Sequence, residues 1–190
     1  MAQHSTIVGG STAKRVINCP GSVALVAQMP LKPSSVYADT GTLLHNVIAD
    51  VLDGKATPQD FLGMVHADVT LDQDLIDNKL LPALAALNEI DPDKKMEYET
   101  EVVVGFGDLL PGVFGSSDIV GRIGDTAYIV DWKFGDGVAV DVEENPQLMF
   151  YAAAAMRTPA SQWAFDDATK VELVIVQPPY VKRWETTPRR

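Results

Sequence analysis

An α/β fold is what this sequence predicts, and three observations predict it. Apolar residues recur at helical spacing in some stretches, valine-rich stretches alternate like strands in others, and the two kinds interleave. The order read along the chain is helix, helix, strand, strand, strand, helix, strand. At 190 residues the chain can bury one core without disulfides or structural metals, so a single domain over 1–190 is expected. There is no internal repeat, low-complexity segment or long linker to divide it.

The first helix is "TGTLLHNVIADVLDG", with Leu44, Val47, Ile48, Val51 and Leu52 on one face, a Thr/Asp cap region before it and Gly54 after it. The second is "TLDQDLIDNKLLPALAALNEI", with Leu75, Leu80, Leu81, Leu84 and Leu87 on its face and a kink expected at Pro82. "MEYETEVVVGF" alternates and is rich in valine, which predicts a strand. Two further strands flank Gly124-Asp125, a dipeptide suited to a tight hairpin turn. The third helix opens at "ENPQLMFYAAAAM", where Asn145 can cap and Pro146 suits the first helical position. "KVELVIVQPP" is the last strand, stopped by Pro178 and Pro179.

A composition of 46% hydrophobic and 22% charged residues is that of an ordinary globular protein. No stretch approaches the ~20 apolar residues of a membrane span, and the N-terminus lacks a signal-peptide pattern. A cytoplasmic location without a membrane partner is therefore expected. The lone cysteine, Cys19, excludes an internal disulfide, a Cys₄ zinc site and a four-cysteine iron–sulfur cluster within one chain. The net charge of −11 argues against a broad phosphate-binding footprint. Its distribution is uneven: 22 acidic against 6 basic residues from Asp39 to Glu144, but four cations and one anion in "KRWETTPRR". A basic arm beside an acidic body and a simple solubility device both fit this pattern.

Two aspartates stand inside apolar strand stretches. If Gly124-Asp125 forms a two-residue turn, pairing runs from Ile123 with Thr126 down to Asp118 with Asp131. Like charges placed directly opposite on paired strands are destabilising. Alternation also puts Asp131 and Lys133 on one face and Trp132 on the other. A divalent cation held by the carboxylates, with the lysine orienting water or charge, would resolve the conflict. The alternative is that both aspartates sit at strand ends in solvent with Lys133 as a surface partner. His45 points partly inward from its helix, as a core residue or as a ligand. Gln147 and Tyr151, spaced i and i+4, share a helix face. "GFGDLLPGVFGSSD" leads into a strand and so is no phosphate-cradling loop. His4, His66 and Cys19 have no zinc-site spacing.

Taken together, these residues resemble the RecB-type branch of the PD-(D/E)XK nuclease superfamily. "GTLLH" is similar to its helical histidine motif, giving His45, and "GSSD" to its Gly-x-x-Asp strand, giving Asp118. "VDWK" resembles the Asp-x-Lys motif, giving Asp131 and Lys133, and "QLMFY" the Gln-x-x-x-Tyr helix, giving Gln147 and Tyr151. "NCPGS", "YADTGTLLH", "DWKFGDGVAVDVEENPQLMFYAAAAM" and "VIVQPP" further resemble a phage and prophage family of RecB-like nucleases, over most of Arg15 to Pro179.

The resemblance implies a restriction-endonuclease-like core, a central mixed β-sheet flanked by helices. It implies Mg²⁺ or Mn²⁺ held by His45, Asp118, Asp131 and the Trp132 carbonyl, with Lys133 positioning the attacking water and Gln147 and Tyr151 supporting the lysine or the DNA backbone. The implied activity is phosphodiester hydrolysis, as a phage-encoded exonuclease in recombination or DNA processing within the host cytoplasm. The partners are DNA and a phage single-strand-annealing or host repair protein. Relatives with an iron–sulfur cluster carry four cysteines, so none is expected here, and because the family's members tend to continue past the last strand, a shortened member is an expectation of the resemblance. The alternative is a non-catalytic nuclease-fold module that binds DNA or a host repair nuclease.

Overall fold

The computed structural model describes residues 5–30, 33–135 and 138–188. Helices α1 (Gly10–Asn18), α2 (Ser22–Ala27) and α3 (Val36–Leu52) come first. A small hairpin of β1 (Val65–His66) and β2 (Val69–Thr70) follows, then α4 (Gln73–Leu75) and α5 (Leu81–Ile90). The remaining elements are β3 (Glu97–Gly105), β4 (Phe114–Ile123), β5 (Thr126–Trp132), α6 (Pro146–Ala155), β6 (Lys170–Gln177) and β7 (Tyr180–Thr186).

The five long strands form one mixed sheet in the order β3-β4-β5-β6-β7. Only β5 and β6 are parallel, and α6 lies in the crossover between them. One apolar cluster joins α3, the small hairpin and α5 to one sheet face through Leu43, Leu44, Ile48, Leu71, Leu80 and Trp132. A second joins α6 to the other face through Leu148, Ala152, Ile129, Leu173 and Ile175. An α/β fold with a central mixed sheet flanked by helices is thus observed.

Helix α3 starts at Val36, a turn earlier than its apolar pattern predicts, because Ser35 caps it by accepting from the Ala38 amide at 3.3 Å. Val36 and Tyr37 are exposed, so no apolar periodicity marks that first turn. The expected kink at Pro82 takes another form. A π-helical turn over Ile76–Leu80 precedes Pro82, which then sits in the first turn of α5, where its missing N–H costs no helix hydrogen bond. The buried face beyond it runs through Ala83, Ala86, Leu87 and Ile90, which leaves Leu81 exposed.

The prolines at 178 and 179 turn the chain rather than stop it. They join β6 to β7 in register Gln177 with Tyr180, and β7 returns antiparallel along β6. The cationic end is therefore partly committed inside the fold: Lys182 reaches Asp141 at 2.8 Å and Arg183 pairs with Glu172. Arg189, Arg190 and His4 lie outside the described residues.

The Gly124-Asp125 turn forms as expected, with Gly124 at φ 58°, and sets the β4–β5 register from Ile123 with Thr126 to Ile119 with Val130. A less regular feature lies one strand away. Tyr98 packs with the first cluster while Val102 and Val104 belong to the second, although an even spacing keeps side chains on one face of a regular strand. Strand β3 changes face at Glu101, whose φ of 50° is left-handed. The paired strand changes with it. Gly115 lies against Tyr151 and Phe150 of α6, whereas Gly121 lies against Met96 of the first cluster. The β3–β4 ladder keeps one register but pairs Thr100 with Ile119 and next Val102 with Ser117, skipping Glu101 and Asp118.

Candidate functional site

The face change brings Asp118 to the place where β4, β5, α3 and α6 meet. Asp118 and Asp131 are both buried, at 9% and 3% exposure, which rules out the reading of solvated strand ends. Past the last paired position of the hairpin, the Trp132 amide donates to Asp118 Oδ2 at 2.6 Å. The indole of Trp132 is buried in the first cluster, opposite the Asp131 face, as alternation predicts.

From α3, His45 Nδ1 lies 3.1 Å from Asp118 Oδ1, and its ring stands edge-on to Phe134 with centroids 5.3 Å apart. His45 therefore faces the aspartates and is not sealed among aliphatic side chains. Burial works to lower its pKa, but the nearby carboxylates, Asp118 first and then Asp131 and Glu101, together outweigh this and hold it above the ordinary value.

Asp131 has partners on both oxygens. Gln147 Nε2 donates to Oδ1 at 2.9 Å, and Lys133 Nζ approaches Oδ2 to 2.5 Å without the alignment of a hydrogen bond. Burial pushes the Asp131 carboxyl up to about 6; Lys133 opposes this rise and Asp118 adds to it. Gln147 is aimed there by the start of α6, where the Asn145 side chain accepts from the Gln147 and Leu148 amides at 3.0 and 3.3 Å. Gln147 Nε2 also donates to the Tyr151 hydroxyl at 3.2 Å. Gln147 and Tyr151 were expected to support Lys133 or the DNA backbone; within the protein the Gln147 amide bonds to the Asp131 carboxylate and to the Tyr151 phenol. Burial, then the Asp131 charge, raises the Tyr151 pKa. Room for that ring comes from Gly115 and from Gly10 of α1: a Cβ at Gly115 would lie 3.0 Å from Tyr151 Cε1, and one at Gly10 would overlap the ring.

Glu101 was not singled out from the sequence. Ligand atoms of His45, Glu101 and Asp118 all lie within 4.8 Å of one another, and Ser116 Oγ donates to Glu101 Oε2 at 3.1 Å. Burial first, then the Asp118 charge, raises the Glu101 pKa. In the sequence Glu101 looks like the third outward glutamate after Glu97 and Glu99, and only the β3–β4 register, which sets it across from Asp118, could have flagged it. The sequence-derived residues His45, Asp118, Asp131, Lys133, Gln147 and Tyr151 line one cavity of about 420 Å³ together with Glu101.

The donor set suits a hard divalent cation. An imidazole nitrogen and several carboxylate oxygens fit Mg²⁺ or Mn²⁺, and nothing in the set offers the thiolates that softer metals prefer. Asp131 Oδ2, buried with an ion-pair neighbour but no hydrogen bond, is an acceptor such a cation would complete.

A family model described as "Protein of unknown function (DUF2800)" matches residues 4–187. A solved structure titled "Crystal structure of SSO0001" is similar at 16% identity with a TM-score of 0.29, covering 86% of this chain and 72% of that one. Among the described residues, no helix is long and apolar enough to cross a membrane.

Proposed function

The chain belongs to the DUF2800 family, described only as of unknown function, and from the geometry of its site we propose that it is a metal-dependent nuclease of the PD-(D/E)XK kind, RecB-like, that hydrolyses phosphodiester bonds in DNA. The observation that carries this reading is the convergence, in one cavity, of His45 from α3, Asp118 from β4, Asp131 from β5 with Lys133 just after it, and Gln147 and Tyr151 from α6. Two carboxylates brought from different strands into one buried place repel each other and are costly there, which is typical of a functional site.

His45, Glu101, Asp118 and Asp131 would hold Mg²⁺ or Mn²⁺, with Trp132 contributing its carbonyl oxygen. When bound, such a cation polarises a phosphoryl oxygen and lowers the pKa of water. Lys133 would give its ammonium to the attacking water or to the charge growing on the phosphate. Gln147 orients Asp131 through its 2.9 Å bond, and the Tyr151 hydroxyl limits where that amide can turn. Within this reading the protein acts as an exonuclease in phage recombination or DNA processing, in the host cytoplasm, beside a single-strand-annealing or host repair protein.

The test is incubation of purified protein with linear and circular DNA, single- and double-stranded, in Mg²⁺, Mn²⁺ or EDTA. Cleavage should require the metal. Lys133→Ala should keep metal binding and lose about 10²-fold in rate, the scale of one preorganised electrostatic contact. The second reading, a nuclease-fold module without catalysis that binds DNA or a host nuclease, draws on the net charge of −11, which suits a protein partner better than a long duplex. It expects no cleavage in either metal and no change in melting temperature when metal is added.

A further inference from the structure

His66 belongs to none of the sequence motifs, yet the small hairpin carries it to the wall of the same cavity as His45, Asp118 and Lys133. Packing fixes that position. Val69 and Leu71 are buried in the first cluster, and Ala67 takes a left-handed φ of 51° in the turn. The Gly63 amide donates to the Leu71 carbonyl and the Leu71 amide to the Met64 carbonyl, both at 2.8 Å, closing the base of the hairpin. His66 is half-buried, and among the described residues its imidazole has no hydrogen-bond or ion-pair partner.

The charges around the cavity say what such a group can do. Lys133 is the only lysine or arginine among the lining residues, and Asp131 holds it at 2.5 Å. Glu101, Asp118 and Asp131 place three carboxylates on the wall. One divalent cation together with Lys133 would only neutralise them, so an entering phosphodiester anion would meet no surplus positive charge. We propose that His66 donates a hydrogen bond to a non-bridging phosphate oxygen of the strand in this cavity, as a substrate-binding residue that does not ligate the metal. The proposal rests on the nuclease reading for the identity of its ligand, a phosphodiester strand.

The experiment measures binding of a short fluorescein-labelled single-stranded DNA, and of an RNA of the same sequence, by anisotropy in Ca²⁺, and cleavage in Mn²⁺. Wild type is compared with His66→Ala and His66→Gln. Loss of a hydrogen bond to a charged group should weaken binding by about 10-fold or more in His66→Ala, with KM rising and kcat little changed. His66→Gln, which keeps an N–H donor, should recover part of the loss, while Mn²⁺ affinity by calorimetry and melting temperature stay at wild-type values in both variants. Unchanged strand affinity in His66→Ala, a fall in Mn²⁺ affinity, or no binding of either nucleic acid by wild type would each overturn the proposal. Cleavage with an indifferent His66→Ala removes His66 and leaves the nuclease reading intact. Binding that depends on His66 without any cleavage does the reverse.

Discussion

Gln147 of α6 donates to the buried Asp131 carboxylate of β5 at 2.9 Å, and this bond ties the crossover helix to the strand that precedes it. Gln147→Ala should leave a buried charged acceptor short of its donor, at a cost of about 1–3 kcal/mol. Denaturant unfolding without metal measures the loss, and added Mn²⁺ should restore part of it by occupying the freed oxygen. A variant as stable as wild type without metal would show that Asp131 does not depend on this amide.

Asp131 and His45 both have raised pKa values, Asp131 to about 6. The folded protein therefore keeps protons that the unfolded chain has released. The stability this contributes is complete below the unfolded values and is lost as pH rises through the folded ones. For Asp131 the window runs from about 4, the unfolded carboxyl value, to about 6. The difference in metal-free stability between wild type and Asp131→Asn should shift in favour of the variant by on the order of 2 kcal/mol between pH 4 and pH 7. Unfolding curves of both proteins across that range check it. A flat difference, or one of opposite sign, would contradict the assigned cause.

Glu101 holds φ at 50° in the middle of a strand, a conformation that costs about 1–3 kcal/mol in a residue with a side chain. Glu101→Gly should relieve that strain and a crowded carboxylate together, raising metal-free stability by about 1 kcal/mol while lowering Mn²⁺ affinity at least about 10-fold. Thermal melts and calorimetric titration on the same sample separate the two effects. If the variant binds Mn²⁺ like wild type, Glu101 is no ligand.

Tyr151 fills space that Gly10 and Gly115 leave open. Gly10→Ala should cost about 1–3 kcal/mol through overpacking against the ring. In the double variant Gly10→Ala/Tyr151→Ala, that part of the cost should disappear, because neighbours in contact are not additive. A double-mutant cycle on unfolding free energies measures the coupling, and simple additivity would mean that α1 moves aside instead.

Much of this architecture was legible in the chain because the signals are local. The Gly124-Asp125 turn set the hairpin register, alternation separated Asp131 and Lys133 from Trp132, and Asn145-Pro146 marked where α6 begins. Motif resemblance singled out His45, Asp118, Asp131, Lys133, Gln147 and Tyr151, and the fold gathers them in one cavity. Strand β7 was hidden behind two prolines that read locally as a stop. The positions of Glu101 and His66 beside the cavity were decided by tertiary structure alone. Glu101 depends on a face change that periodicity cannot express, and His66 on the packing of a hairpin only a few residues long. Local spacing determines which side of its own element a side chain occupies; only the docking of elements determines which charges share a cavity, because that is settled by long-range burial.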